Sequence, residues 1–499
     1  MTSSVGKTRS AALACAIAAA AATLAAGALG GGAAAGPRDG AKGKPQQPRQ
    51  LRPNVIVVMT DDQNDSLQGM PTVRKLLAAR GTTFTNAFAS LPLCCPSRAT
   101  FLSGQYAHNH GVRLNDPQNE GGLQALRHQG NTLPAWLRRA GYRTAHIGKY
   151  LNGYGRYRPR GIPKGWDRWF TLAESRGGRP QPGGEQFRYG FTVNRDGRLR
   201  RFPRNPRYYV TDVLRRRLVA LAGRWSRGPR PFFIWFTPNN PHGEPHPPGY
   251  VRNPRPAPRH QGIYQFEPLP AKASFDEADV SDKPAFVRSR PRLDEVLIED
   301  LELRHRSRLE SLISVDEAVA ALIRRLKRRR ELRRTVIVFT SDNGLLLGEH
   351  RLIFKGVLYE EAIRVPLVIR GPGFPRGVKR GQVVSNVDLA PTILSIARAT
   401  PRRRVDGRPL RPLARDKRLE RKRIVLLETP SGTRGIRTRL YAYFEHPTGE
   451  VELYDLRADP LQLTSKHAAP AYAQIRQRLA GRLAGLRGCR GKVCRRRAR

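Results

Sequence analysis

Three short apolar runs stand out along the chain: Val55 to Met59, Phe232 to Phe236 and Val336 to Phe339. None shows the polar alternation of a half-exposed strand, so each predicts a strand buried on both faces, as in a parallel sheet. Between them apolar positions return every three or four residues, over Leu133 to Ala140 and Ser311 to Leu326, which predicts helices. Strands alternating with helices indicate an α/β domain: a mainly parallel or mixed central sheet flanked by helices.

The pattern weakens elsewhere. Residues 153–207, rich in Gly, Pro and Arg, read as loops with short strands near a substrate entrance, and residues 243–290 read similarly. After about Thr400 the pattern changes. Gly435 to Phe444 and Val451 to Leu456 predict antiparallel strands about a turn at Pro447 to Gly449, followed by a helix over Ala471 to Leu486. The expected division is a large domain over 52–400, a small C-terminal α+β domain over 401–487, and a basic tail over 488–499. There are no internal repeats.

The N-terminus changes the cellular picture. Lys7 and Arg9 precede an uncharged, Ala-rich run from Ala11 to Leu29, which predicts a secretory signal peptide over 1–35, cleaved near Ala33 to Ala35. A run of that length is also compatible with an uncleaved membrane anchor. Cys15 lies inside it and makes a poor lipid-attachment site. Residues 36–51 read as a solvated linker. No other stretch is apolar enough to span a bilayer, so the expected location is secreted or extracytoplasmic.

At 499 residues the chain can bury a large core, and its formal net charge is +50. Such a charge leaves two readings open, a polyanionic partner or a coding bias toward Arg. Basic runs such as Arg324 to Arg330 lack interleaved aromatics, and no DNA-reading motif is present, so nucleic acid is not expected. Of five cysteines, four follow the signal: the adjacent Cys94 and Cys95, and Cys489 with Cys494. The tail pair could close a short disulfide in an oxidising compartment, and a metal site there lacks further ligands.

Candidate chemistry gathers at predicted strand ends. Asp61 and Asp62 follow the first buried strand, and Asp342 and Asn343 follow another. Ligands of open α/β sheets collect outside the carboxyl ends of strands. Taken alone, a pair of acidic residues there is more often a turn or helix cap; two such pairs favour one ion, and oxygen donors favour calcium or magnesium over zinc. Pro96 suits the first turn of a helix, which places Cys94 at its positive end beside Arg98. That position attracts anions and lowers a thiol pKa.

The stretch Leu93 to Gly104, with Cys94-Cys95-Pro96-Ser97-Arg98, resembles the first signature of the sulfatase family, and Gly141 to Leu151 resembles the second. The resemblance extends over about residues 52–465, including Thr340 to Gly344, Lys355 to Pro366, Asn386 to Thr392 and Glu452 to Leu456. It implies an alkaline-phosphatase-like large domain and one calcium ion held by Asp61, Asp62, Asp342, Asn343 and the modified Cys94. That cysteine would be oxidised to formylglycine (3-oxoalanine) by a formylglycine-generating enzyme. Arg98, Lys149, His242 and Lys355 match residues that hold the sulfate or the nucleophile; His246 is the rival of His242 if the register slips. The Gly148-Lys149-Tyr150-Leu151-Asn152 pattern departs from the common Gly-Lys-x-His, so Asn152 is the candidate to replace the missing His. Together with His108-Asn109-His110, this pattern is most similar to N-acetylglucosamine-6-sulfatases and extracellular heparan endosulfatases. For His108 and His110 a structural role competes with substrate contact, and Tyr150 reads as packing.

The chemistry such a site would perform is the hydrolysis of a sulfate ester on a sulfated carbohydrate. A thiolate or alkoxide that captured sulfate would be left as a stable ester; an aldehyde hydrate carries a second hydroxyl that can expel it. Calcium would polarise the sulfate oxygens, Arg98, Lys149 and Lys355 would balance growing charge, and His242 or Lys355 would protonate the leaving alcohol. Two rival readings are a phosphodiesterase or phosphonate monoester hydrolase of the same superfamily, and an inactive polyanion-binding protein.

Overall fold

The computed structural model describes residues 52–117, 121–176, 179–180, 184–246, 250–270, 272–419 and 422–498, so the predicted signal peptide and linker lie outside the described residues. The strands of its main sheet are β1 (Asn54–Thr60), β2 (Thr82–Phe88), β3 (Arg143–Gly148), β4 (Arg168–Leu172), β5 (Thr192–Arg195), β6 (Arg198–Arg201), β7 (Phe232–Thr237), β8 (Thr335–Ser341), β9 (Leu367–Arg370) and β10 (Val378–Ser385). Their spatial order is β10-β2-β9-β8-β1-β7-β3-β4-β5-β6. The five strands β8, β1, β7, β3 and β4 run parallel, and antiparallel strands flank them on both sides.

The apolar runs owe their continuity to this position. Val55, Val57 and Met59 point into one core with Phe233 and Trp235, while Ile56 and Val58 point into another with Ile234 and Phe236. The first core is covered by α1 (Cys94–Ser103), α2 (Leu133–Arg139) and α5 (Leu389–Ala397), and the second by α3 (Val210–Trp225) and α4 (Glu295–Arg328). Helix α4 starts sixteen residues before the predicted Ser311. Its first half keeps few apolar residues on the inner face, so periodicity alone did not reveal it.

The C-terminal sheet comprises β11 (Val425–Glu428), β12 (Arg434–Arg437), β13 (Tyr441–Glu445) and β14 (Val451–Asp455), all antiparallel in that order. The stretch read as a single strand, Gly435 to Phe444, is two strands joined by a turn closed by Thr438 Oγ1, which accepts from the Leu440 and Tyr441 amides. One face of this sheet packs on α6 (Ala473–Leu486) through Ile436, Leu453, Leu479 and Leu483. Val425, Leu427 and Phe444 on the other face share a core with Phe88, Tyr359 and Ile363. The chain from residue 52 onward therefore packs as one compact unit. Cys489 and Cys494 are joined in a disulfide.

Candidate active site

Four neighbouring parallel strands end on the same edge of the sheet, and each delivers a side chain as it ends: Asp61 and Asp62 after β1, Asp342 and Asn343 after β8, His242 in the turn after β7, and Lys149 after β3. Gly148 must be glycine for β3 to end this way. Its φ is +122°, and a Cβ would fall 2.0 Å from the Thr237 carbonyl oxygen. Helix α1 points its first residue, Cys94, at the same edge, with Pro96 in its first turn as predicted.

Cys94 Sγ lies 3.3 Å from Asp61 Oδ1, 3.7 Å from Asp62 Oδ1 and 2.9 Å from Lys355 Nζ. Lys355 Nζ also contacts Asp62 Oδ1. On the other side Lys149 Nζ donates to Asp61 Oδ2 at 2.8 Å. Arg98 is fully buried; its Nε donates to Asp342 Oδ2 at 2.8 Å, its Nη1 to the Lys149 carbonyl at 2.7 Å, and its Nη2 lies 3.5 Å from Asp61 Oδ2. His242 Nε2 stands 3.6 Å from Asp62 Oδ2, with Nδ1 held 2.7 Å from the Gly243 carbonyl. Cys94, Asp61, Asp62, Lys149, Lys355, Arg98 and His242 are thus brought together, and Asp342 joins them through Arg98.

Asp62 adopts φ +68°, a region costly for most side chains, and two flanking contacts hold it there. Its amide donates to Asp342 Oδ1 at 3.0 Å, and its carbonyl accepts from Arg308 Nη2 at 2.6 Å. The Asp342 Oδ1 atom also accepts from the Asn343 amide at 2.8 Å.

Burial shapes the protonation of Asp61, Asp342, His242 and Cys94. It pushes the Asp61 carboxyl up, but Lys149 and Arg98 outweigh it and hold Asp61 well below the usual range. It pushes Asp342, with help from Asp61, up to about 6. It pushes His242 down to about 4, so that imidazole is neutral near pH 7. Burial also raises the Cys94 thiol well above its usual value despite the two lysines, reversing the lowering expected from its place at the helix start. An unmodified Cys94 is therefore a protonated thiol and a poor nucleophile.

The donor set fits a hard cation. Oxygen atoms of Asp61 and Asp62 converge with His242 and Cys94 within 4.8 Å of one another. Asn343 donates its Nδ2 to Asp62 Oδ1 at 2.7 Å, which leaves Asn343 Oδ1 buried with no hydrogen-bond partner. A buried carbonyl oxygen without a donor is costly, and a calcium ion is the kind of partner that would satisfy it.

Other motif residues make contacts away from the carboxylates or in the core. His110 bonds Thr100 Oγ1 at 3.0 Å, while His108 and Asn109 both reach the Cys489 carbonyl, at 2.9 and 2.8 Å. Tyr150 packs its ring against Trp169 and Trp235. The Asn152 backbone amide meets Cys95, and the Asn152 side-chain Oδ1 is buried without a partner. The His246 side chain lies outside the described residues.

Two supporting residues, Arg188 and Arg308, escaped the sequence reading, and a third, Asn386, entered it only as part of a matching stretch. Arg188 holds the His242 turn by donating to the carbonyls of Asn239, at 3.0 Å, and of His242. Asn386 Nδ2 donates to Ser97 Oγ at 2.8 Å, and Ser97 in turn bonds the Asp342 carbonyl. Arg308 projects from the buried face of α4, where an arginine among apolar positions was the available signal. A cavity of about 450 Å³ lined by Asn64, His305, Arg308 and Glu361 adjoins the Asp62 loop but contains none of the clustered residues.

The sulfatase family profile matches residues 53–399, and the profile for the C-terminal region of N-sulphoglucosamine sulphohydrolase matches residues 348–488. The human N-acetylglucosamine-6-sulfatase is 32% identical, over 89% of this chain and 86% of its own length. The putative extracellular sulfatase Sulf-1 homolog of Caenorhabditis elegans is 35% identical over 75% of this chain, which spans about half (51%) of that relative. A protein solved in complex with its substrate D-glucosamine-2-N,6-O-disulfate superposes with a TM-score of 0.72 at 24% identity, covering 89% of this chain and 98% of the other. The shared architecture is the alkaline-phosphatase-like fold, with a large sheet domain and a C-terminal antiparallel sheet.

Proposed function

This chain belongs to the sulfatase family of sulfuric ester hydrolases, and from that premise we propose that it removes sulfate from a glucosamine-type sulfated carbohydrate outside the cytoplasm, using Cys94 in its formylglycine form and one calcium ion. The observation that carries the reading is the convergence of Asp61, Asp62 and Lys355 on Cys94 at the carboxyl edge of the sheet. Secretion is supported by the extracellular relatives and by the N-terminal run of the sequence. Among the described residues no helix is long and apolar enough to cross a membrane.

Asp61, Asp62, Asp342 and Asn343 would hold the calcium, which when bound polarises the sulfate oxygens and favours the ionised hydrate of residue 94. Lys355 and Lys149 reach the nucleophile's surroundings from two sides, and their ammonium groups offset the negative charge that develops on the sulfuryl group and leaving oxygen. Arg98 acts one step back: its contacts are to Asp61, Asp342 and the Lys149 carbonyl, so it orients the carboxylates and the lysine. His242 or Lys355 supplies the proton to the departing sugar oxygen; Arg188 fixes the turn from which His242 reaches inward.

Sulfate release from N-acetylglucosamine-6-sulfate and from sulfated disaccharides, measured by ion chromatography, tests this reading. Wild-type enzyme matured with the formylglycine-generating enzyme should release sulfate, and Cys94→Ala should not. An aryl phosphodiester run in parallel should turn over far more slowly; preferential cleavage of the phosphodiester would make the chain a phosphorus hydrolase instead.

A further inference from the structure

Away from the catalytic cluster, a groove of about 1040 Å³ opens between the helix Arg411–Arg415 and the C-terminal helix Lys492–Arg497. Of the eleven described residues that line it, seven are Lys or Arg and none is acidic. Arg418, Lys422, Lys492 and Arg496 are exposed. None of these four forms an ion pair with a described carboxylate. Pro409, Pro412, Leu413 and Leu419 give it an apolar floor.

With a net charge of +50, basic surface alone would mean little. Two other basic concavities carry counter-charge among their lining residues, whereas here the acidic groups are buried behind the wall, Asp388 paired with Arg423 at 2.8 Å and Asp406 facing Arg495, and the four exposed cations are left without one. Asp196 sits among Arg195, Arg198 and Arg200, and Glu244 with Asp300 among Arg252 and Arg255. The groove is also built. The Cys489–Cys494 disulfide closes the turn that carries Lys492. The Gly491 amide donates to Asp406 Oδ1 at 2.7 Å, and Arg495 Nη1 bonds the Val405 carbonyl. Burial first, and then the nearby Arg408, lower the Arg495 pKa, against the opposing charge of Asp406. Holding like charges together costs stability, and an anion relieves it.

We propose that this groove is an exosite for a sulfated polysaccharide chain, which it holds by the sulfates while the sugar rings lie on the proline and leucine floor. The choice of occupant rests on the sulfated-carbohydrate reading above; the groove itself disfavours single-stranded nucleic acid, because among the described residues no aromatic side chain lines it for bases to stack on. A polymeric substrate would then be captured at a place distinct from the one where it is cut. Substrates too short to reach the groove would gain nothing from it.

The test compares full-length enzyme carrying Arg418→Ser, Lys422→Ser, Lys492→Ser and Arg496→Ser with a control carrying Arg198→Ser, Arg200→Ser, Arg201→Ser and Arg204→Ser, which removes equal charge elsewhere. Binding to immobilised heparin is measured across a salt series on a Cys94→Ala background, so the result is independent of turnover. The groove variant should bind at least about tenfold more weakly, with the slope of log affinity against log salt reduced by roughly three, at about 0.7 for each cation removed. The control should stay within about twofold of the parent, and with Cys94 intact the groove variant should hydrolyse a small aryl sulfate at the parent rate. Equal losses in both variants, or none in the groove variant, would overturn the exosite. So would single-stranded DNA competing as well as heparin. As a measurement on unaltered enzyme, heparin should protect Lys422 and Lys492 from acetylation, read by mass spectrometry; unprotected lysines would also overturn it.

Discussion

Lys355 Nζ lies 2.9 Å from Cys94 Sγ and at the same time contacts Asp62 Oδ1, so one ammonium group touches both the nucleophile position and a predicted calcium ligand. Lys355→Met keeps most of the stem and removes the charge. We expect kcat to fall by at least about 100-fold, because the lost interaction matters most where charge develops, with a modest drop in melting temperature from the partner lost to Asp62. Lys149→Met should behave similarly in turnover but cost more stability, since it strips a fully buried partner from Asp61. Parent-like kinetics in both variants would move the active site elsewhere.

The calcium assignment is tested more cleanly at Asn343 than at Asp342. Asp342 anchors Arg98 and the amides of Asp62 and Asn343, so Asp342→Ala would leave a buried guanidinium short of a partner, at about 3–5 kcal/mol. Asn343→Ala removes the unpartnered Oδ1 with smaller collateral loss. Melting temperature should rise with calcium in the parent and rise less in Asn343→Ala, while the two differ little in EDTA. A calcium-dependent rise that is the same in both would remove Asn343 from the ligand set.

His242 should matter in proportion to how badly the leaving group needs a proton. For a sugar sulfate, His242→Gln should lower kcat by about 100-fold or more; for 4-nitrophenyl sulfate, whose leaving group departs as a stable anion, the loss should be several-fold. Equal losses on both substrates would assign His242 to positioning rather than to proton transfer.

How much of this was legible beforehand follows from where residues sit relative to the sheet. The β1, β7 and β8 runs were readable because both their faces are buried, and the residues that follow them are the ones that converge. The sheet's far edge was not. Arg168–Leu172 extends the parallel core and Arg198–Arg201 closes the edge, but the second is almost wholly basic and leaves no apolar pattern to find. Motif logic also assigned nearness better than role. His108 and Asn109 sit in a motif resembling that of sulfated-sugar hydrolases, yet both brace the C-terminal tail, a long-range contact that no local spacing reports.

That brace should respond to pH. Burial lowers the His108 pKa, but the hydrogen bond to Glu428 and its charge outweigh this and raise it above the usual 6.5. A group whose folded pKa is raised stabilises fully below its unfolded value and loses that contribution as pH climbs through the folded one. Tail docking should therefore be tightest below about pH 6.5 and loosen above it. After correction for intrinsic rates, exchange of the Gly491 amide should be faster at high pH in the parent, and His108→Gln should flatten the dependence. A parent profile that is flat, or tightens with pH, would exclude the brace as a titrating contact.

The last prediction separates two adjacent cysteines, because both are buried at the start of α1 and only one faces the carboxylates. Cys94 Sγ is the atom near Asp61, Asp62 and Lys355; the Cys95 side chain packs in the core with Phe101 and Tyr150, and its amide is fixed by Asn115 Oδ1 at 2.8 Å. Successive helical residues point about 100° apart, so the two side chains cannot exchange places without unwinding the first turn. A peptide spanning both positions, isolated from a host with the maturing enzyme, should carry one aldehyde at Cys94 and one thiol at Cys95. Cys94→Ala should abolish sulfate release, since no neighbouring side chain can supply two hydroxyls on one carbon. Cys95→Ala should keep turnover within a few-fold and lose about 1 kcal/mol of stability for the small cavity it opens. Tandem mass spectrometry of the peptide with the rates of the two variants decides the matter, and an unmodified Cys94 in fully active enzyme would overturn the formylglycine mechanism.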